Sequence, residues 1–334
     1  MSIENINSDY YYKELFFDSQ ENNIADNNKA LTLEKFTQHR QNIDKKYYII
    51  GKKYNDNQYL YRAERVKICG NFLEFALFQK AGLKLINANF CMDRLCNMCN
   101  WRRSLKIFVK LSKIIKSQEI QDKKYNFLFL TLTLENVEPK DLHQGLNHIF
   151  YSFNKFLKNK RIKNINKGYF RALEITYNPI SNTFHHHLHI VLAVNKTYFK
   201  KPDLYLKQTD FADIWQSSAG IDYTPIVHIQ KFKSEKGIAE ASKYSVKVDN
   251  KLLKNISIDN LKILRDELSN RRLVGMGGII RDIAKKLKLN LDSDDKLTDD
   301  FDDIKDDILL AILRYKFNIG FGKYELIEKE NVNF

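Results

Sequence analysis

Hydrophobic residues occupy every second position in "FLFLTLTL" (127–134): Leu128, Leu130, Leu132 and Leu134 share one face, and Phe127, Phe129, Thr131 and Thr133 the other. That period predicts a strand. It lengthens in "DLHQGLNHIFYSFNKFLKNKR", where Leu142, Leu146, Ile149, Phe150, Phe153 and Leu157 recur at helical spacing above a basic far side. "YFRALEITYN" and "FHHHLHIVLAVN" then form two strands around "PISN", a loop whose Pro and Asn supply the bend. Further on come a helix ("TDFADIWQSS"), a strand ("TPIVHIQKF") and three helices: "EKGIAEASKYSVK" (235–247), "SIDNLKILRDELSNRR" and "GIIRDIAKKLKLN". "GMGG" punctuates the last two, and "AILRYKFNIGFGKYELIEKE" makes a hairpin. This order predicts an α+β fold, an antiparallel central sheet with helices packed on it, preceded by a small cysteine-rich zinc-binding segment. The expected divisions are a polar, partly disordered arm (1–59), a cysteine-rich basic segment (60–110), the sheet domain (111–290), and an acidic loop with a hairpin (291–334).

The strand "FHHHLHIVLAV" breaks the apolar pattern. Alternation puts His185, His187 and His189 on one face and His186 on the other, with Leu188, Ile190 and Leu192 entering the core. A hairpin turning on "PISN" sets Glu174 across from His187. Two imidazoles and a carboxylate can grip one side of a divalent ion and leave its other positions to water or a phosphate oxygen. His185 rivals Glu174 as third ligand, and a solvated polar face is the bland alternative.

All four cysteines gather in one stretch: Cys69, then Cys91-x4-Cys96-x2-Cys99. Four thiolates, two of them at the tight spacing, suit a closed tetrahedral Zn2+ of structural role. "WRRSLK" follows at once, so Trp101, Arg102 and Arg103 are candidates for stacking on bases and pairing with phosphates. A core Trp101 beside ordinary surface arginines is the other possibility.

Charge sharpens the picture. The chain of 334 residues carries a net +14, although "LDSDDKLTDDFDDIKDD" holds nine Asp against two Lys. The rest is therefore more basic still, which favours a polyanion such as nucleic acid. No apolar run reaches the roughly 20 residues of a membrane span, and "MSIENINSDYYYKEL" shows no signal-peptide pattern, so a soluble, cytoplasmic protein is expected.

In "AEASKYSVK", Glu240 and Tyr244 are neighbours on one helix face, with Lys243 and Lys247 within a turn of the tyrosine. A phenol flanked by cations can attack a phosphorus made electrophilic by a metal, and the carboxylate can serve as general base for a second step. Alone the pattern is weak, since Tyr244 is one of 18 tyrosines.

Taken in order, "CGNFLEF…ANFCMDRLCNMCNWRRSLK", "FLFLTLTLENV", "FHHHLHIVLAV" and "EASKYSVK" resemble the blocks of a known family over residues 60–290. It is the rolling-circle plasmid replication initiators of the single-tyrosine HUH endonuclease superfamily, in the branch with Glu four residues before the nucleophilic Tyr. The resemblance implies an HUH endonuclease domain over 111–290 in which His187 and His189 bind Mg2+ or Mn2+, with Leu188 between them. It implies Tyr244 as the nicking nucleophile and Glu240 as the residue favouring water attack at termination. Such proteins nick plasmid origin DNA, single-stranded or in a hairpin at the nick site. They stay on the 5′ phosphate and leave a 3′ end for a host polymerase, with a host helicase as further partner. His186 departs from the family, where many members have Pro, but it faces away from the trio. Competing readings are a relaxase, a single-tyrosine transposase, a zinc-stabilised DNA-binding regulator without catalysis, and a hydrolase of small phosphoesters.

Overall fold

The computed structural model describes residues 42–231, 250–269, 271–291, 297–299 and 307–332. These fall into two units: the residues up to Asn100 together with those from Asp294, and Trp101–Ser293. Within the stretch expected to be a polar arm, residues 42–54 form helix α1, which buries Ile43, Tyr47 and Ile50 completely. Their spacing is one helical stripe. Helix α2 (Asn57–Lys67) follows, then strands β1 (Phe72–Phe78) and β2 (Gly82–Ala88). In the chain, helix α3 (Asn97–Ile115) leads out of the first unit and into the second.

The second unit is built on a five-stranded antiparallel sheet. Its strands are β3 (Asn126–Thr133), β4 (Asn166–Asn178), β5 (Thr183–Val194), β6 (Val227–Lys231) and β7 (Val274–Gly277), in the order β6-β3-β5-β4-β7. Helix α4 (Leu142–Lys158) turns its apolar stripe of Leu146, Ile149, Phe153 and Phe156 inward. Helices α5 (Gln208–Ala219), α6 (Ile258–Leu268) and α7 (Gly278–Lys286) also belong to the unit, together with shorter helical segments. Ile107, Leu111 and Ile114 of α3 and Ile280 and Ile283 of α7 form one buried cluster with Phe129, Phe170 and Val191 of the sheet. The β4–β5 turn is fixed by Asn178, whose Oδ1 accepts from Ile180 N at 3.0 Å, and by Asn182 with φ of 52°.

"GMGG" is not merely punctuation, for three of its residues belong to edge strand β7. Gly277 pairs with Tyr169 and Gly275 with Arg171. A Cβ on Gly277 would lie 2.5 Å from the Tyr169 ring, and one on Gly275 would lie 3.1 Å from Arg171 Nε. Glycine is needed there because β4 side chains lie across the strand.

The chain then returns to the first unit. Strands β8 (Leu309–Asn318) and β9 (Lys323–Asn331) form the expected hairpin. β8 pairs antiparallel with β1, giving a sheet of order β2-β1-β8-β9. Phe75 of β1 meets Tyr315 of β8 edge to face at 5.8 Å. The α+β class is as the pattern predicted, with two antiparallel sheets rather than one. No helix among the described residues is long and apolar enough to cross a membrane.

Candidate metal centres

β5 is the middle strand of its sheet, and one of its faces carries two chemistries. At Val191 that face belongs to the buried apolar cluster; two residues back, at His189, it becomes polar. The register pairs Glu174 with His187 and Thr131 with His189, so both neighbouring strands contribute polar groups at the same level. Glu174 Oε2 lies 2.6 Å from His189 Nε2 and 3.3 Å from His187 Nε2. These three residues offer ligand atoms within 4.8 Å of one another.

The second nitrogen of each imidazole decides how the first is presented. His189 Nδ1 lies 3.2 Å from Thr131 Oγ1, a contact that orients the ring so that Nε2 faces Glu174. The His189 ring stacks on Phe129 at 5.5 Å. His187 and His189 are 8% and 7% exposed, so orientation is set by packing on the core. Burial opposes ionisation of Glu174, but the imidazoles of His187 and His189 outweigh it and hold its carboxyl well below the usual carboxylate range. Burial, then neighbouring His187, pushes the His185 imidazole down. His185 stacks on His187 at 4.9 Å, and it is Glu174 that the structure brings together with the His187–His189 pair. Two imidazoles and one carboxylate suit a divalent cation.

In the first unit the four cysteines converge. Cys69 Sγ stands 3.5 Å from Cys99 Sγ and 3.6 Å from Cys96 Sγ, and Cys91 Sγ is 3.6 Å from Cys99 Sγ. Four sulfurs around a zinc at about 2.3 Å would sit about 3.8 Å apart, so the spacing nearly fits a metal tetrahedron. All four are buried. Contacts donated by Cys69, Cys91 and Cys99 draw the Cys96 thiol down, while burial pushes Cys99 up. The donor set is therefore closed on itself and leaves no side for substrate.

Other expected site residues fare differently. Arg102 and Arg103 are 1% and 4% exposed, so neither guanidinium is presented at a surface as the sequence suggested; Arg103 lies one helical turn before buried Ile107. Trp101 is half-buried, with the Arg102 guanidinium 5.9 Å from its ring. Glu240, Lys243, Tyr244 and Lys247 lie outside the described residues. Thr131 and Phe129, which orient His189, were visible in the alternation of "FLFLTLTL", but only strand order could reveal their neighbour.

Comparison with known proteins fits this geometry. The profile of the "Replication protein" family matches residues 82–321. A "Protein rep" of Bacillus amyloliquefaciens is 37% identical over 268 residues, covering 73% of this chain and 78% of its own. A "Protein rep" of Streptococcus pneumoniae is 33% identical over 68% of this chain and 72% of its own. One of Staphylococcus aureus is 34% identical over 64% of this chain and 93% of its own. No solved structure matches. The chain therefore belongs to the Rep family of replication proteins, the family to which its ordered motifs point.

Proposed function

We propose that the chain initiates plasmid replication by nicking one strand of the origin and remaining attached to it. The Tyr244 phenol oxygen attacks the scissile phosphorus, forming a P–O bond to tyrosine as the bond to the 3′ oxygen breaks. The phenol gives up its proton as it attacks, and the 3′ oxygen takes up one in exchange, leaving as a 3′-hydroxyl for a host polymerase, with a host helicase opening the duplex. One phosphodiester replaces another, so no ATP is consumed. Glu240 serves the later step, drawing a proton from water so that the adduct can be released.

Glu174, His187 and His189 would hold Mg2+ or Mn2+, which polarises the phosphate oxygens. The four cysteines would hold Zn2+ as a structural element. The observation that carries this reading is the Glu174–His187–His189 cluster on a polar sheet face in a chain of the Rep family. Chain reach supports it. Lys231 pairs with Leu128, and Thr133 with His187, about 17 Å apart along β3. Twelve residues lie between Lys231 and Tyr244, and the thirteen steps cover about 20 Å even at the rise of a helix.

The test is incubation with supercoiled plasmid carrying its own origin and Mn2+, followed by peptide mapping of any protein–DNA adduct. An adduct on the Tyr244 peptide, lost in Tyr244→Phe while origin binding persists, is expected. Nicking by Tyr244→Phe at the wild-type rate would overturn the assignment.

A further inference from the structure

We propose that α2 reads double-stranded DNA: Asn57, Gln58, Tyr61, Arg62 and Arg65 form a polar stripe, exposed at Asn57, Gln58 and Tyr61 and half-buried at Arg62 and Arg65, that enters the major groove and selects the site where the chain acts. The inference rests on the proposed function only in that the chain works on DNA.

The stripe stands on a tightly made helix pair. Asn55 adopts φ of 52°, and Asp56 N–H donates to Gly51 O at 2.9 Å, closing α1. The same Asp56 side chain accepts from Gln58 N at 2.9 Å and caps α2. Two residues thus end one helix and start the next. Gly51 permits the close approach, since a Cβ there would lie 2.5 Å from Leu60 Cδ2. Tyr59, Ala63 and Val66 face inward, and Tyr59 meets Tyr47 of α1 edge to face at 5.4 Å. The opposite face is therefore turned away from α1.

What that face carries decides its partner. Positions 57, 58, 61, 62 and 65 follow one helical stripe, about 12 Å long and so spanning three to four base-pair steps. Asn and Gln match the paired donor and acceptor of adenine, and Arg matches guanine O6 and N7. The arginines are held ready. Arg65 Nη2 donates to Phe90 O at 3.1 Å, and its guanidinium lies 5.7 Å from the Tyr61 ring. Arg62 Nη1 is 3.8 Å from Asp93 Oδ2, and the Asp93 carboxylate is itself fixed by Tyr47 OH and Leu95 N. A cleft of about 470 Å³ runs along this face, lined by the five residues and Asp93 among others. Lys52 and Lys53 close α1 and Lys67 closes α2, so the helix pair carries further cations. A helix built to dock on protein would show apolar anchors at i, i+3, i+4 and i+7; this stripe offers Tyr61 alone.

The full-length chain is used to select from a pool of random 20-base-pair duplexes, with covalent attachment scored separately. Wild type should enrich a defined motif. Gln58→Ala and Arg65→Lys should each relax preference at separate base pairs by about tenfold, with unchanged thermal unfolding midpoints. As a measurement free of substitution, motif DNA carrying bromodeoxyuridine should photo-cross-link wild type within residues 57–65. Enrichment of no motif, the wild-type motif at wild-type stringency in both variants, or cross-links confined to other segments would overturn the proposal. A chain that selects its motif but never attaches covalently would sink the proposed nicking and leave this inference standing. Covalent attachment with selection indifferent to α2 would do the reverse.

Discussion

Glu174 and His187 face each other across the β4–β5 ladder, with the carboxylate oxygen 3.3 Å from the imidazole Nε2. The turn over residues 179–182 sets that register, so a four-residue loop determines a ligand pair. Glu174→Ala should weaken Mn2+ binding by about 10- to 100-fold in calorimetric titration, while His185→Ala should leave it within about threefold. Equal losses in both variants would return His185 to the ligand set.

Glu240 is expected to act only after the nick. Glu240→Ala should form the DNA adduct at the wild-type rate and release it more slowly, by about 100-fold for a lost general base. The half-life of the isolated adduct measures this. An unaltered half-life removes the role.

The two candidate metal sites belong to different units, and loss of their ions should be separable. EDTA at a strength that strips Mg2+ or Mn2+ should stop nicking while the far-ultraviolet circular dichroism stays unchanged. Nicking that persists once the divalent ion is stripped would remove the metal from the reaction.

His186 is 1% exposed on the strand face away from His187 and His189, and among the described residues neither ring nitrogen has a hydrogen-bond partner. An unsatisfied buried polar group costs about 1–3 kcal/mol. His186→Leu should therefore raise stability by about that amount in urea unfolding and leave Mn2+ affinity intact. A less stable variant would mean that the imidazole has a polar role.

Asp307 ties the β1–β2 turn to the start of β8: it accepts from Ala81 N at 2.7 Å, from Lys80 N at 3.1 Å and from Ile308 N at 2.9 Å. Burial resists ionisation, but these donors outweigh it and hold the carboxyl below its ordinary value of 3.8. A depressed folded value means stabilisation that is full above the unfolded value and is lost as pH falls through the folded one. Asp307→Ala should lower the urea midpoint at pH 6, and the gap from wild type should shrink at pH 3. An equal gap at both would show that the charge is immaterial.

Local periodicity made the second unit legible. Alternation placed β3, β4 and β5, and the short turn supplied their register, which is why the histidine cluster could be anticipated with its carboxylate. Where local pattern gives no partner, sequence was silent. Nothing near Phe75 announces that it pairs with Leu313. The stripe of Ile43, Tyr47 and Ile50 is diluted by Lys45, Lys46 and exposed Tyr48, which hid α1 and with it the two-residue junction to α2. Arg102 and Arg103 misled for a different reason: guanidiniums are ordinarily solvated, and only a surrounding fold can enclose them.

The β1–β8 pairing also has a consequence for synthesis. Phe75 leaves the ribosome long before Leu313 exists, and at about 5–20 residues per second the wait is on the order of 10–50 s. Through that interval one side of β1 is an open sheet edge able to recruit a stray strand from a neighbouring nascent chain. The whole second unit emerges and can fold meanwhile, so the strand that closes the edge of β1 arrives only after that unit has been made.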